Sequence, residues 1–549
     1  MALTDEEKTE IAPYVTNVNG NVFCVVNLPG VAGPVFARYS RAPGGFRETM
    51  LREFIKKGFV DSKKAEEFID RVLIGYGDDS VGELEGQHIS FEDVSNLATK
   101  VIEDRRLGAF IEQSSRYVVY DQKDENGRFR YHVPKEVEAA GLTQEYRETM
   151  DFMFQTYVDL VGRMVDVYKT QKPMEEATYE IRQKGQKDKL SDLTDEQHIR
   201  NFKTTYNNDI KTKACDTVRI LLPAATKTNV GVLGNGRFLE HLLVRLYSHE
   251  LQEMQDLGAA AHTELNKVIP KFVGKAKSKY EVERYHVETE AAMHALAADL
   301  LKGTSPRRQS QPVVLLDSDP SDFSDNLVAE MLFKYAQIPT EDLRTLVQTI
   351  PEETKRKILK TYNGNRRHKK DRPGRALEFG YPLTFDLEGD FGIFRDLHRH
   401  RKLTLQRQQL TPYLGHVVSQ DLADAGFKDK VEQCVEKSAQ LYEKLKTISP
   451  AVAEYAVLFA NNLRWRMGMN LREAMHMLEL RTIPQGHPSY RKVAQEMHNA
   501  IRERFGGEIA NMMSFVDHNS YSSARGESEA GQRRKEADLE ARLGKSSSP

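Results

Sequence analysis

The sequence predicts a helix-rich α+β fold made of two diverged tandem copies of one domain. Long stretches place apolar residues at steps of three and four, which is the spacing of one helix face. Two short segments, 313–317 and 381–387, are continuously apolar or alternate in the manner of strands. Two motifs also recur in the same order in both halves of the chain, as a duplication would leave them.

Chain length, composition and charge limit the number of domains and the kind of binding partner. The chain has 549 residues, which by length alone fits three or four domains, or two large ones. A hydrophobic content of 39% is enough for real cores and excludes wholesale disorder. The 79 lysines and arginines nearly balance 81 acidic residues, for a net charge of −2. Overall charge therefore favours neither nucleic acid nor an anionic membrane as a partner, and any anion site must be local.

The cysteines and the amino terminus indicate the compartment. Three cysteines stand far apart without a CxxC pair, so we expect neither a disulfide framework nor a cysteine zinc site. This usage is typical of a reducing compartment. The acidic amino terminus is unlike a secretory signal, and the sequence lacks the run of about 18 apolar residues that spans a membrane. We therefore expect a cytoplasmic protein that does not insert into membranes.

The spacing of apolar residues predicts mostly helices before residue 303. Helices are expected over 48–74 and 91–102, with a turn between them at 75–80. A charged region at about 134–213 is expected to form long helices, of which 145–169 is the clearest, and a further helix is predicted over 236–257.

Domain boundaries follow from breaks in this pattern. The segment 303–312 lacks periodicity and holds two prolines, so it separates the two copies. The end of the chain is polar and is expected to be a disordered tail. The predicted domains are a first repeat over 1–302 with a helical insertion at about 134–213, a second repeat over 303–521, and a tail over 522–549.

The repeated motifs are the strongest sign of duplication. The first is an arginine-rich cluster followed by a glutamine-bearing stretch, at 104–117 and again at 399–412. The second is a helix that opens with Asn-x-Arg and has a histidine six residues after the asparagine. Its members are Asn235, Arg237 and His241 in the first half, and Asn470, Arg472 and His476 in the second.

Several of these residues suit anion chemistry, although each has a plainer explanation. Arg399, His400 and Arg401 could bind phosphate through their guanidinium forks, or could form a solvated basic face. The segment 112–116 could hold a phosphate in a turn, or could be a capped helix end. The basic run 366–375 could bind an anion or be a solvated loop, and as a nucleic-acid site it fits poorly with the net charge. His398 and His400 have no further ligand at suitable spacing, so no metal site is expected.

Helix geometry separates the two copies. Asn470 and Arg481 are eleven residues apart, which places them within about 20° of the same helix face. In the first copy Arg245 is ten residues from Asn235, a rotation of about 80°, and Leu246 takes the equivalent position. Only the second copy can therefore aim a cation where Arg481 points.

These motifs together resemble the flavin-dependent thymidylate synthase family. That family has two arginines around a histidine, a Glu-x-Ser-x-Arg-Tyr element, a later Arg-x-x-x-Pro, and an Asn-x-Arg helix that ends in arginine. The resemblance covers about 34–270 and 313–505. The first copy keeps Glu112, Ser114, Arg116 and Tyr117, with Arg219 and Pro223 as the later element; the second keeps Arg399, His400, Arg401, Asn470, Arg472 and Arg481.

The two copies depart from the family pattern in complementary ways. The first has Asp104 and Arg105 where the first arginine and the histidine belong. The second has Arg407 for the glutamate, Gln409 for the serine, Thr411 for the first element's arginine and Tyr455 near the later arginine. Asp396 stands where the family often has a glutamine that contacts nucleotide. Because active sites in the family lie between subunits, the resemblance implies one composite site divided between the repeats.

The resemblance also implies the reaction and the residues that perform it. The expected enzyme is a methyltransferase that converts dUMP to dTMP with methylenetetrahydrofolate, NADPH and FAD. Arg481 would be the catalytic residue, set against the pyrimidine, and the nucleotide would be bound by Glu112, Gln113, Ser114, Ser115, Arg116 and Arg219. FAD would be bound by Arg399, His400, Arg401, Asn470, Arg472 and His476, with Asn235 and Arg237 contributing.

Two further expectations follow from the resemblance. If single-domain relatives form tetramers, the fused chain should form a homodimer with the same architecture, a pseudo-tetramer. The alternative function is a catalytically inactive or altered nucleotide- or flavin-binding protein derived from the same domain. The complementary departures favour the enzyme, because random decay should not divide one site so neatly.

Overall fold

The structure of the protein is a computed structural model. It describes residues 3–20, 23–27, 45–56, 84–104, 107–277, 308–316, 320–333, 340–363, 375–378 and 383–521, together with isolated positions such as 526 and 534. The expected turn at 75–80, most of the tail at 522–549 and residues 366–374 of the basic run 366–375 lie outside the described residues. No helix in the described part of the chain is both long enough and apolar enough to cross a membrane.

Helices dominate the described part of the chain. In order, the α-helices are Asp5–Ile11, Phe46–Thr49, Asn96–Ile102, Lys135–Ala139, Thr143–Gln171, Glu196–Val218, Gly236–Tyr247, Gln252–Leu265, Pro270–Val273, Pro320–Phe333, Thr340–Thr349, Glu352–Asn363, Phe391–Leu397, Gln420–Asp424, Lys428–Lys446, Pro450–Ala453, Leu471–Arg481, Pro488–Phe505 and Gly507–Asn511. A π-helical segment, Met50–Ile55, continues the second of these. The segments Arg219–Leu221 and Glu454–Ala456 form 3₁₀ turns.

Within the described residues, seven strands form two antiparallel sheets. The strands are β1 (Gly86–Ser95), β2 (Ala109–Glu112), β3 (Lys227–Asn235), β4 (Val313–Leu315), β5 (Leu383–Asp390), β6 (Leu403–Arg407) and β7 (Asn462–Met469). One sheet has the order β1-β3-β2 and the other β4-β5-β7-β6.

The chain divides into two compact units whose borders differ from those of the predicted repeats. The first contains Met1–Gln113, His132–Ala140 and Lys227–Thr304. The second contains Ser114–Tyr131, Gly141–Thr226 and Ser305–Pro549. Two long helices of the first repeat, Thr143–Gln171 and Glu196–Val218, thus belong to the same unit as the second repeat. The repeat boundaries remain a prediction, since packing does not test them.

The first unit is built on the β1-β3-β2 sheet. β1 pairs with β3 from Gly86 opposite Asn235, and a bulge interrupts the register between Phe91 and Val94. Asp93 takes a φ of 55° at this bulge, where its backbone N–H donates to the Asn229 side chain at 2.9 Å. The extra residue bends the strand and lets Ser95 begin the helix that follows.

The second unit packs its core on the four-stranded sheet. Trp465 of β7 is almost fully buried and lies edge-on to Phe394 of the helix that follows β5, with ring centroids 5.5 Å apart. The helices Thr143–Gln171 and Lys428–Lys446 lie together in this unit, and Lys430 donates to Asp159 between them at 2.6 Å.

The same topology occurs in both halves of the chain. The first half runs β1, a seven-residue helix, β2, two longer helices, β3 and another helix. The second half repeats this series from β5 to the helix Leu471–Arg481, with the one long helix Lys428–Lys446 where the first half has two, and its sheet order β5-β7-β6 corresponds to β1-β3-β2. The helix-rich α+β fold with duplicated elements is therefore confirmed.

The local predictions were confirmed for one long helix and for two strands. The helix predicted over 145–169 is present as Thr143–Gln171, and strands are present at 313–315 and 383–390. The helix predicted over 91–102 is wrong for its first five residues, because they belong to β1 and only Asn96–Ile102 is helical. The helix predicted over 236–257 ends at Tyr247, where a turn precedes a separate helix from Gln252.

Candidate functional site

A buried carboxylate, Asp396, is the centre of the candidate site in the second unit. Arg219 donates to one of its oxygens at 3.3 Å, and Arg399 donates to the other at 2.5 Å. Burial favours the neutral acid, but Arg219, Arg399, Arg116 and Arg481 together hold the pKa of Asp396 far below its ordinary value. The group is therefore a fixed negative charge shared by arginines of both repeats.

A second carboxylate fixes the arginine of the Glu-x-Ser-x-Arg-Tyr element. Arg116 donates two hydrogen bonds to Asp216, at 2.7 and 3.0 Å, in the fork geometry that gives strong ion pairs. Burial works to lower the pKa of Arg116, but Asp216 and Asp396 outweigh it and raise that pKa. The guanidinium also lies 6.0 Å from the ring centroid of Tyr490.

The predicted catalytic residue, Arg481, reaches the same ring from the second repeat. Its guanidinium lies 5.9 Å from the Tyr490 centroid, and its Nε–H donates to Nε2 of His400 at 2.9 Å. The other imidazole nitrogen, Nδ1, lies 3.1 Å from a carboxylate oxygen of Glu473. Burial lowers the pKa of Arg481 from its ordinary value, and the positive charge of Arg399 acts in the same direction.

A fifth arginine completes the group that we call the arginine cluster. Arg395 donates to the Ser115 hydroxyl at 3.3 Å and lies over the Phe459 ring at 4.6 Å. Ser115, which was predicted to bind nucleotide, is buried at this contact. The arginine cluster consists of Arg116, Arg219, Arg395, Arg399 and Arg481.

The two repeats meet next to this cluster through equivalent backbone segments. Pro223 forms an antiparallel bridge with Leu458, and Ala224 N–H donates to Val457 O at 2.8 Å. Each segment follows a 3₁₀ turn, which begins at Arg219 in the first repeat and at Glu454 in the second. Residues from both repeats therefore come together within one chain.

A cavity of about 460 Å³ opens beside these residues. Arg116, Arg219, Asp216, Asp390 and His487 are among the side chains that line it. Burial and the charges of Arg219 and Arg116 hold the pKa of His487 well below its ordinary value, so its imidazole is neutral at neutral pH. Its side chain accepts from the Ser489 N–H at 3.2 Å and caps the helix Pro488–Phe505.

Asn470 and Asn235, which were predicted to contact FAD, each cap the start of the helix that follows them. Asn470 accepts from the Glu473 N–H at 2.9 Å, and Asn235 accepts from the Phe238 N–H at the same distance. Both are N-caps, which satisfy backbone donors at the start of their helices. Arg237, Arg401 and His476 are exposed, whereas Arg472 is half-buried.

The other predicted nucleotide contacts lie in the first unit or are held locally. The Glu112 carboxylate accepts from Lys100 at 3.1 Å, in an ion pair that is buried on both sides. Gln113 exchanges backbone and side-chain hydrogen bonds with Asn229. Ser114 accepts from the Arg116 N–H at 3.3 Å, in the turn that leads to the arginine cluster.

Sequence reasoning did not find several residues that shape the site. Asp216 precedes Arg219 by three residues on the chain, and this spacing was the available signal. Glu473 stands three residues after the N-cap Asn470, at the usual capping-box position. Asp390 and Tyr490 gave no local sign of their role, since only tertiary packing brings them to the cavity or to the arginines.

Asp390 gives a testable pH dependence of stability. It caps the helix Phe391–Leu397, and burial raises the pKa of its carboxyl to about 6. The folded protein therefore binds more protons than the unfolded chain between about pH 4 and 6. The contribution of Asp390 to stability should fall by about 3 kcal/mol as pH rises through this window. Asp390→Asn should abolish this loss because the amide does not titrate, and asparagine still caps the helix.

Urea unfolding at several pH values measures this effect. The exposed Asp424→Asn variant, from the helix Gln420–Asp424, is the control and should follow the wild type. An Asp390→Asn variant with the same pH slope as the wild type between pH 4 and 6 would contradict the assignment.

The comparison with known sequences agrees with the repeated motifs. Residues 36–271 and 320–505 match the family described as thymidylate synthase complementing protein. A UPF0159 protein of Chlamydia muridarum is 34% identical over 541 residues, which cover 95% of this chain and 96% of that protein. A UPF0159 protein of Thermoplasma acidophilum is 28% identical and covers 90% of this chain and 96% of its own length.

The similar solved structures are more distant in sequence. The UMP/dUMP methylase PolB from Streptomyces cacaoi, bound with 5-Br dUMP, is 19% identical with a TM-score of 0.30, over 39% of this chain and 98% of that one. The flavin-dependent thymidylate synthase ThyX from Helicobacter pylori, complexed with FAD and dUMP, is 16% identical with a TM-score of 0.26, over 38% of this chain and 98% of that one.

The family match falls in two successive parts of the chain, and these nearly coincide with the segments 34–270 and 313–505 that carry the motifs. The resemblance drawn from the motifs is thus confirmed. With about three quarters of its residues matched in two copies, this chain belongs to the thymidylate synthase complementing protein family.

Proposed function

We propose that this chain is an FAD-dependent thymidylate synthase that methylates dUMP reductively to dTMP, with methylenetetrahydrofolate and NADPH as co-substrates. One observation carries the proposal. Arg116 from the first repeat and Arg481 from the second lie at about the same distance, 6.0 and 5.9 Å, from the ring of Tyr490. The residues that the resemblance divides between nucleotide and pyrimidine binding thus share one location.

The charges of this location suit a nucleotide monophosphate. The five arginines of the cluster outnumber the two carboxylates bonded to them, Asp216 and Asp396. Two of the arginines, Arg116 and Arg219, line the cavity together with Lys213 and the carboxylates Asp209, Asp216, Asp390 and Asp421. Asp390 has a pKa of about 6, so its negative charge is partly neutralised below neutral pH. In a buried site, an excess of guanidinium groups favours a phosphate that can accept paired hydrogen bonds. Ser114 and Ser115 would add hydroxyl donors to the same group.

Arg481 would act on the pyrimidine ring. A fixed guanidinium in a water-poor pocket stabilises negative charge on the ring and so favours ionisation at N3. That ionisation would raise the electron density at C5, the carbon that receives the methyl group. No nucleophile from the protein is required, since the cofactor supplies the difficult chemical step.

The cofactor would be held by residues of the second repeat. His400 is buried and His476 is exposed, with their ring centroids 5.9 Å apart. Exposed Arg401 and half-buried Arg399 are the sequence neighbours of His400, and half-buried Arg472 precedes His476 by four residues on the same helix. Such a donor set suits the pyrophosphate of FAD. Asn470, and Asn235 and Arg237 of the first unit, are the further predicted contacts. Bound FAD would supply the hydride for the reductive step.

The alternative is a protein that binds nucleotide or flavin without turnover. The observation that favours it is the pairing of Arg116 with Asp216 and of Arg219 with Asp396. A phosphate has to compete with these carboxylates for the same guanidinium donors. The homodimer implied by the resemblance is part of both proposals, because it concerns the family architecture and not the chemistry.

Flavin binding separates these possibilities. We expect the purified protein to take up FAD, to be yellow, and to change its flavin spectrum when dUMP is added. The enzyme should then form dTMP from dUMP when methylenetetrahydrofolate and NADPH are present. Binding of both ligands without dTMP formation would favour the alternative, and a protein that takes up neither FAD nor dUMP would contradict both.

Mixing two inactive variants tests whether the site closes within one chain. The Arg116→Ala and Arg481→Ala variants should each lose activity. When the two variants are mixed, unfolded together and refolded together, no activity should be restored. The reason is that both arginines reach Tyr490 of their own chain. If the mixture regained a substantial fraction of wild-type activity, a site shared between chains would have to replace this arrangement.

A further inference from the structure

We propose that Glu473 is a positioning residue for Arg481 and acts through the imidazole of His400. Glu473 does not belong to any motif that suggested the function. The inference rests on the proposed function only in that it assigns Arg481 to the pyrimidine. The arrangement of the three side chains can be measured without turnover.

Donor and acceptor rules fix the state of the imidazole. Arg481 can only donate, so the His400 Nε2 that lies 2.9 Å from its Nε must carry a lone pair. The proton of neutral His400 is then on Nδ1, which lies 3.1 Å from the Glu473 carboxylate, and this group can accept it. The Nδ1–H tautomer is therefore the one that satisfies both contacts. Glu473 selects this tautomer, and His400 in turn orients the Arg481 guanidinium.

The helix places Glu473 and Arg481 at its two ends. Glu473 lies in the first turn of Leu471–Arg481, and its N–H is bonded to the N-cap Asn470. Eight residues separate it from Arg481, a rise of about 12 Å. The imidazole of His400 lies between the two side chains, and both His400 and Glu473 are buried. In such a dry environment a hydrogen bond to a carboxylate holds an imidazole firmly.

The first repeat lacks this arrangement altogether. At the position equivalent to Glu473, three residues after the N-cap, it has Phe238. At the position equivalent to Arg481 it has Leu246. The carboxylate and the arginine thus occur together in the second repeat and are absent together in the first. This joint occurrence is expected if the carboxylate serves the arginine, and unexpected if Glu473 only stabilises the helix start.

Nitrogen-15 NMR of the histidine side chains tests the inference directly. In the wild type, His400 should be the Nδ1–H tautomer, with its signal assigned by its loss in His400→Gln. In Glu473→Leu that tautomer should no longer dominate, whereas Glu473→Asp, which keeps a carboxylate, should retain part of it. A wild-type His400 with its proton on Nε2, or an unchanged Nδ1–H tautomer in Glu473→Leu, would overturn the proposal.

Kinetics with a matched control tests the consequence for Arg481. Glu473→Leu should lower kcat for dTMP formation by about 10- to 100-fold with little change in KM, because a misplaced charge weakens the transition state. Glu473→Asp should recover part of the rate. Glu479 is a buried carboxylate of the same helix that accepts from the Phe515 N–H, so Glu479→Leu should leave the His400 tautomer unchanged.

The outcomes distinguish the two proposals. If the wild type forms no dTMP, the proposed function fails, and the NMR measurement on the same protein still decides the role of Glu473. If Glu479→Leu shifts the tautomer as much as Glu473→Leu does, the effect is general damage to the helix and the positioning role is wrong. Because the wild-type tautomer is measured without any substitution, the inference stays testable even if a variant does not fold.

Discussion

Asp396→Asn is expected to lower the free energy of unfolding by about 3 to 5 kcal/mol, the usual cost of removing one partner from a buried ion pair. The carboxylate accepts from Arg219 and Arg399 and is 7% exposed. Without its charge, the buried guanidinium groups of both repeats repel one another with little water to screen them. The measurement is urea unfolding at neutral pH, with the midpoint and the slope both compared with those of the wild type.

A surface carboxylate of similar connectivity gives the matched control. Asp159 also accepts from two cations, Lys430 at 2.6 Å and Arg163 at 2.9 Å, but its side chain is about one third exposed. Exposed pairs contribute about 1 kcal/mol or less, so Asp159→Asn should have a small effect. Equal losses in the two variants would mean that Asp396 does not hold a buried cluster together.

Binding should respond to Asp396→Asn in the opposite direction from stability. The substitution removes a competitor for the guanidinium groups of Arg219 and Arg399. If the variant remains folded, it should bind phosphate-bearing nucleotides more tightly and with less selectivity for the nucleotide that the site is built for. Titration of the flavin spectrum with dUMP and with inorganic phosphate measures both quantities.

Arg481→Ala is expected to lower kcat for dTMP formation by at least about 100-fold, since removal of one fixed donor to a developing anion typically costs 10²–10³. The KM for dUMP should change less, because Arg116 and Arg219 would still bind the phosphate. Arg481→Lys should also be poor, since an ammonium group cannot donate to His400 and face the pyrimidine in the same planar geometry.

The control for this variant is an exposed arginine of a neighbouring helix. Arg502 lies in the last turn of Pro488–Phe505, and Arg502→Ala should leave kcat and KM unchanged. A dUMP-induced change in the flavin spectrum should persist in Arg481→Ala, because the cofactor and phosphate contacts are intact. If kcat stays within a factor of three of the wild type, Arg481 is not the group that activates the pyrimidine.

The sequence could predict those features that a single element determines. In the helix Thr143–Gln171, the apolar residues recur at the three- and four-residue steps of one helix face. The spacing from the Asn-x-Arg motif likewise places Arg481 on the same helix face as Asn470. Strands β1 and β3 were missed because a strand's identity depends on the partner to which it bonds. The last five residues of β1, 91–95, were predicted as helix for this reason.

The candidate site could be predicted in its cations better than in its anions. Arg116, Arg219, Arg399 and Arg481 belong to motifs with recognisable spacing. Asp216 and Glu473 have only a local spacing, to Arg219 and to Asn470, and their roles depend on which side chains packing brings opposite them. Asp396 was noted as a departure from the family, but its function as a shared counter-ion follows only from its two bonded arginines.

The antiparallel bridge between Pro223 and Leu458 has a consequence for which substitutions this chain can accumulate. When two identical subunits meet across a twofold axis, every substitution appears on both sides of the contact. Here the two sides are separate positions in one gene, so Arg219 can begin one turn while Glu454 begins the other, bound to Arg407. Because both sides belong to one chain, each side of this bridge can mutate independently, and a change that suits one side need not be made on the other.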